Sequence, residues 1–255
     1  MGVLLYKRIY FMKTNCFLEI MENLKHDKFY DDWITIEERK KHKNYKIFEL
    51  KEIDESRKIV EISLKKLIID YYTLPDVLEY HKSKVNSKFN DLEVYLFNKI
   101  PEKETTRKGE FGEIFGTEFL KQKCKYHFPV NKLNKKDNKD APVHGEDILG
   151  FKYKNNEISC LCICEAKTTK QYKTEILTKA CNQLKESNIN PKSLAKIHDE
   201  LWESNRNLSI EIFKVMREKM QTIEKDNWIF YIIEKKSTGI FKERECLNSL
   251  ENLKL

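Results

Sequence analysis

Three side chains near the middle of this chain are of the types, and at the spacing, that hydrolytic chemistry uses. The run "CLCICEAKT" (160–168) is apolar until Glu165 and Lys167, a carboxylate and an ammonium two residues apart and so on one face of a strand. Upstream, "HGEDILG" (144–150) supplies Asp147. Residues 148–153 and 157–167 are β-prone runs, and Asn155 and Asn156 between them tolerate the positive φ of a tight turn. Folding the chain about that turn brings Asp147 beside Cys164 or Glu165, with Cα atoms within ~5.5 Å. Carboxylates held so close repel one another unless a proton or a cation lies between them. A hard divalent cation fits: Mg²⁺ takes oxygens from one or two carboxylates and keeps several waters, with Mn²⁺ as a substitute. Asp147 and Glu165 are therefore candidate metal ligands. Lys167 is placed to orient an attacking water or to neutralise charge building on phosphorus oxygens during phosphodiester hydrolysis.

A fourth carboxylate lies in "KGEFGEIFGTEF" (108–119). Gly109, Gly112 and Gly116 fall at i, i+3 and i+7 of an expected helix, each at a cost of ~1 kcal/mol relative to Ala. Such a face makes sense where the helix backbone presses on another element. Glu113 would then be carried toward the sheet while Phe111, Ile114, Phe115 and Phe119 pack inward; Glu110 is the alternative carboxylate. Around this set, His144, Lys170 and Lys173 are candidate DNA contacts. Lys179 and the lysine-rich loop "NKLNKKDNKD" (131–140) are further candidates, and Gln183, on the helix after Lys167, is a candidate polar contributor to the cleft. Each has a plainer reading: charged residues at turns and strand ends are more often solvated than catalytic. Cys160, Cys162 and Cys164 repeat along a strand too widely to wrap one tetrahedral zinc, and read as small core residues.

The elements that must position these residues follow from periodicity. A strand is expected over 3–11, irregular or strand-like chain over 29–50, and helices over 52–72 (ended by Pro75), 76–100 and 105–124. A short strand near "YHFPV" (126–130), the Asn-Asn hairpin, helices at 174–187, 192–205 and 208–224, and a strand over 227–233 complete the chain. The strand 157–167 is apolar on both faces, which makes it central and covered on both sides. The order is that of an α/β domain over 101–255, preceded by a mostly helical α+β region over 1–100 that reads as a partner-docking region. The net charge of +7 leans toward a polyanionic partner. Seven cysteines without a C-x-x-C pair argue against a disulfide framework or a zinc ribbon and for a reducing cytoplasm. No stretch approaches the ~20 apolar residues of a membrane span.

Asp147 followed by Glu165-x-Lys167 at the end of the next strand, after a glutamate-bearing helix, resembles the PD-(D/E)xK nuclease superfamily. "GEFGE", "HGED" and "CEAK" together are similar to a narrower group, the HamA nuclease subunits of Hachiman anti-phage systems and the related AbpA proteins. The likeness covers about residues 105–185. It implies a restriction-endonuclease-like mixed sheet flanked by helices and a Mg²⁺-dependent DNase that works with a superfamily 2 helicase. In that reading Asp147 and Glu165 are metal ligands, Lys167 is the catalytic lysine and Glu113 completes the site. Glu146 stands where the superfamily pattern has proline. Two alternatives stay open: a nuclease-like fold that only binds DNA or a partner, and a stand-alone restriction endonuclease.

Overall fold

The computed structural model describes residues 29–41, 46–53, 57–83, 90–136, 138–141, 145–170, 173–189 and 192–233. The strand expected over 3–11 and His144 lie outside the described residues. In chain order the elements are α1 (Phe29–Trp33), β1 (Ile34–Lys41), β2 (Lys46–Glu52), α2 (Arg57–Tyr72), α3 (Pro75–Ser83), α4 (Asn90–Lys99) and α5 (Glu104–Cys124). A 3₁₀ turn (Leu133–Lys135) leads to β3 (Ile148–Lys154), β4 (Glu157–Thr169), α6 (Thr174–Ile189), α7 (Ser193–Ser204), α8 (Arg206–Lys214) and β5 (Glu224–Ile233).

β4 is the central strand of a mixed sheet in the order β3-β4-β5, antiparallel to β3 and parallel to β5. A parallel pair needs a long crossover, and α6, α7 and α8 provide it. Cys160, Cys162, Cys164 and Ala166 face α5 and share a core with Phe111, Phe115 and Phe119. Leu161 and Ile163 face the crossover helices and pack with Leu184, Leu194, Leu201 and Ile212. With both faces covered, the strand reads as a nearly unbroken apolar run, as expected of a buried central strand. The α5 core also takes in Tyr30 and Trp33 of α1 and Leu64 and Leu67 of α2.

Asn155 and Asn156 both adopt positive φ, 54° and 63°, the backbone that a two-residue type I′ hairpin demands. The register shifts once, between Lys152 and Tyr153, leaving Ser159 unpaired as a bulge. That extra residue places Ile158 on the same face as Leu161 despite the odd spacing. It also explains why two registers compete in a count from the turn. Beyond the bulge Ile148 pairs with Cys164, so Asp147 enters the sheet next to Glu165.

Several boundaries differ from expectation. The chain at 126–130 forms one antiparallel bridge, His127 to Phe151, instead of a strand. Within the span 76–100 the described residues through Lys99 are helical as expected, in α3 and α4, but Pro75 opens α3 at the first helical position, where its missing N–H costs nothing. The last helix ends as α with Lys214 and passes through a π turn (Val215–Lys219), because β5 already starts at Glu224. The glycine face of α5 holds in two of its three positions. A Cβ at Gly116 would lie 2.6 Å from Ile148 Cδ1 and 3.3 Å from Phe230 Cγ, and one at Gly112 would lie 2.7 Å from Thr168 Oγ1. Gly109 meets nothing within 4 Å and is exposed. Gly116→Leu is therefore expected to destabilise the fold by about 1–3 kcal/mol through overpacking. Gly109→Ala should stabilise it by up to ~1 kcal/mol. Urea denaturation of the two variants checks the pair, and equal effects would contradict the close helix–sheet approach.

Candidate active site

Asp147 is positioned by the two residues before it. Gly145 adopts φ +113°, a conformation that favours glycine, and a Cβ there would run into Ser193 Oγ. Glu146 is buried and clamps the start of α7: its carboxylate accepts the N–H groups of Lys192 at 2.9 Å and Ser193 at 2.8 Å. Its own N–H donates to Ser193 Oγ at 3.1 Å. These bonds satisfy helix N–H groups that have no intrahelical acceptor. Burial works to raise the Glu146 pKa, but the hydrogen bonds from Ser193 and neighbouring backbone outweigh it and hold the carboxyl below its ordinary range. With the loop pinned, Asp147 Oδ2 accepts the Ala166 N–H at 2.9 Å.

Glu165 sits at the mouth of the sheet with 5% of its surface exposed. Lys167 Nζ donates to Glu165 Oε1 and lies 3.6 Å from Asp147 Oδ2, so one ammonium bridges two carboxylates. Even so, burial first and the Asp147 charge next push Glu165 up to about 7. Glu113, with 18% of its side chain exposed, is likewise pushed up to about 7, by burial and then by Asp147, against the opposing charge of Lys132. Lys132 Nζ lies 2.8 Å from Glu113 Oε2 and donates to the Glu146 carbonyl at 3.1 Å, tying α5 to the Asp147 loop. A cleft of about 290 Å³ opens beside this cluster, lined among others by Glu113, Asp147, Lys132, Tyr71, Phe128 and Lys196.

The structure thus brings Asp147, Glu165 and Lys167 into direct contact and adds Glu113 through Lys132. Glu110 turns elsewhere: it accepts from Lys136 Nζ and, at 2.6 Å, from the Tyr72 hydroxyl, in a pair whose side chains are 6% and 1% exposed. Lys170, Lys173 and Lys179 are exposed, and the Lys173 N–H donates to the Tyr231 hydroxyl at 3.1 Å. Gln183 is half-buried rather than exposed. In the loop 131–140, Lys132, Lys135, Lys136 and Lys139 all meet carboxylates of the fold, those of Glu113, Glu200, Glu110 and Glu102. Lys132 and Glu146 are the residues sequence reasoning missed. The signal was Leu133, an apolar residue inside the charge run that is 2% exposed and turns the loop inward.

Among the described residues, the three donor atoms that lie within 4.8 Å of one another belong to Cys160, Glu224 and Asp226. Asp226 there is already engaged by Lys152 at 3.2 Å and by the Tyr126 hydroxyl. The Cys160 thiol is pushed up to about 12, by burial first and then by those acids, which keeps it protonated. It stays a core thiol.

The crowding at the carboxylate cluster has a pH signature. An acid whose pKa is higher folded than unfolded binds more protons when folded, so its contribution to stability falls as pH rises from about 4.5 toward 7. Glu113→Gln and Glu165→Gln each remove one such group. Between about pH 5 and pH 8 each variant should gain on the wild type by on the order of 1 kcal/mol in urea denaturation without divalent cations. A difference that stays flat across that range would contradict the crowding.

With this geometry in place, comparison with known proteins is informative. The Hachiman protein HamA of Bacillus cereus is 30% identical over 127 residues, which cover 50% of this chain and 45% of that protein, so the chain matches about half the length of its relative. The sequence profile of the HamA family matches residues 27–243, which take in every described element and every member of the carboxylate cluster. The chain belongs to the HamA family.

Proposed function

We propose that this chain is a metal-dependent deoxyribonuclease of the PD-(D/E)xK type that acts in the cytoplasm as the effector of an anti-phage defence system. A superfamily 2 helicase is its proposed partner, with residues 1–100 as the docking region. The observation that carries the reading is Lys167 bridging Asp147 and Glu165 at the open end of an otherwise sealed central strand. Membership of the HamA family and the Hachiman relative support the defence role.

The donor set fits Mg²⁺. Asp147 and Glu165 offer hard carboxylate oxygens, and Glu165 is raised toward neutral pH by burial first and by the neighbouring Asp147 charge next. When bound, a divalent cation would supply Lewis acidity to the phosphate. The chain's own groups do the remainder. The Ala166 N–H fixes the Asp147 carboxylate, so one ligand is held in place before substrate arrives. The Lys167 ammonium, beside both carboxylates, would orient the attacking water and offset charge on the phosphate oxygens. Glu113 completes the site from α5. Exposed Lys170 and Lys173, just past the site, are the proposed phosphate contacts.

Cleavage of plasmid DNA with Mg²⁺ tests the reading. Asp147→Ala, Glu165→Ala and Lys167→Ala should each lower the rate by about 10²-fold or more, with circular dichroism unchanged. Cleavage that survives all three would falsify the site. If no Mg²⁺ or Mn²⁺ binding depends on Asp147 in calorimetry, the chain is instead a nuclease-like module for DNA binding or docking. Sequence-specific cutting without any helicase would favour a stand-alone restriction endonuclease.

A further inference from the structure

The Lys132 ammonium sits where the reaction scheme has no use for a structural ion pair. It comes from the loop after α5, reaches back to Glu113 Oε2 at 2.8 Å and is held by the Glu146 carbonyl at 3.1 Å. That carbonyl belongs to the residue next to Asp147, and Glu113, Lys132 and Asp147 line one cleft. Glu113 lies close enough to Asp147 to feel its charge. The three carboxylates are therefore served by two lysines in a divided arrangement: Lys167 between Asp147 and Glu165, and Lys132 on the Glu113 side.

Lys167 and Lys132 differ in how replaceable they are. Lys167 lies near the end of β4, and its ammonium pairs with the two carboxylates that would hold a cation. Lys132 is anchored at a second point, a backbone carbonyl that the Glu146 clamp on α7 holds still. The two side chains are about equally exposed, 20% for Lys132 and 21% for Lys167, so the difference lies in that second anchor. A cation held by Asp147 and Glu165 would compete with Lys167 for both of its partners, whereas Lys132 would keep the Glu146 carbonyl. We infer that Lys132 is a built-in positive charge occupying the place of a second metal ion, so that the site binds a single divalent cation between Asp147 and Glu165. The inference rests on the nuclease reading above and narrows it to a one-ion site. In a two-ion site, the second cation helps neutralise charge on the scissile phosphate. Here a fixed ammonium on the Glu113 side takes that part.

The test counts ions. Mn²⁺ binding is followed by calorimetry and by the loss of the free-ion electron paramagnetic resonance signal, for the wild type, Lys132→Met, Glu113→Gln and the double variant. The wild type should bind one Mn²⁺ per chain. Lys132→Met, which keeps the stem and removes the charge, should bind two, and the double variant should return to one. Glu113→Gln alone should leave the count at one and raise its Kd, because a nearby negative charge is lost. That arm does not depend on Lys132→Met folding. Two ions on the wild type, or one on a folded Lys132→Met, overturns the inference while leaving the nuclease reading intact. Absence of any Asp147-dependent ion in every protein overturns both.

Discussion

The site depends on an electrostatic problem set at the end of one strand. β4 is buried from Cys160 through Ala166, Glu165 included, and it opens toward water again from Lys167 onward. The hairpin partner delivers Asp147 to the same point, so two carboxylates share a partly desolvated corner with a third, Glu113, nearby. In such a setting charge is expensive, and the fold meets the cost with two ammoniums while leaving Glu113 and Glu165 raised to about 7. The arrangement is short of positive charge. That deficit is what a divalent cation or a phosphate-bound cation would relieve.

The rest of the framework keeps these groups from moving apart. α5 can approach the sheet because Gly112 and Gly116 leave no side chain between helix backbone and strand, and the approach carries Glu113 inward. Glu146 locks the Asp147 loop to the start of α7 through reciprocal hydrogen bonds, which couples one metal-ligand candidate to the crossover helices. Lys132 ties the same loop to α5. Three elements from different parts of the chain thus meet at a single loop. Glu146, which stands where the resembled nuclease pattern has proline, serves here as that clamp.

Much of the site was legible because it is local. The Asn-Asn turn, the alternation along 160–167 and the glycine spacing of 108–119 all involve residues within a short stretch of chain. Backbone sterics and the pleat decide their geometry almost alone. The bulge at Ser159 was not legible, since nothing in "NNEIS" distinguishes a slipped residue from a paired one. The lysine-rich loop was misleading in the same way: composition marks it as solvent-facing, yet all four of its lysines pair with acids of the fold, and Lys132 and Lys136 turn inward to do so. Gly109 shares its helical face with Gly112 and Gly116 but lies at the open end of α5, where no neighbour requires it.

By itself, the sequence determined which strand is buried, where it turns, and that Asp147, Glu165 and Lys167 meet, because hairpin register and strand alternation are short-range properties of the chain. Only the tertiary structure decided which cation answers which acid. Glu146 finds Ser193 across 47 residues and Lys136 finds Glu110 across 26, and no local periodicity encodes those distances. Such pairs are selected by how helices dock on the sheet, since a charge that loses its water must take whatever partner the packing places within reach.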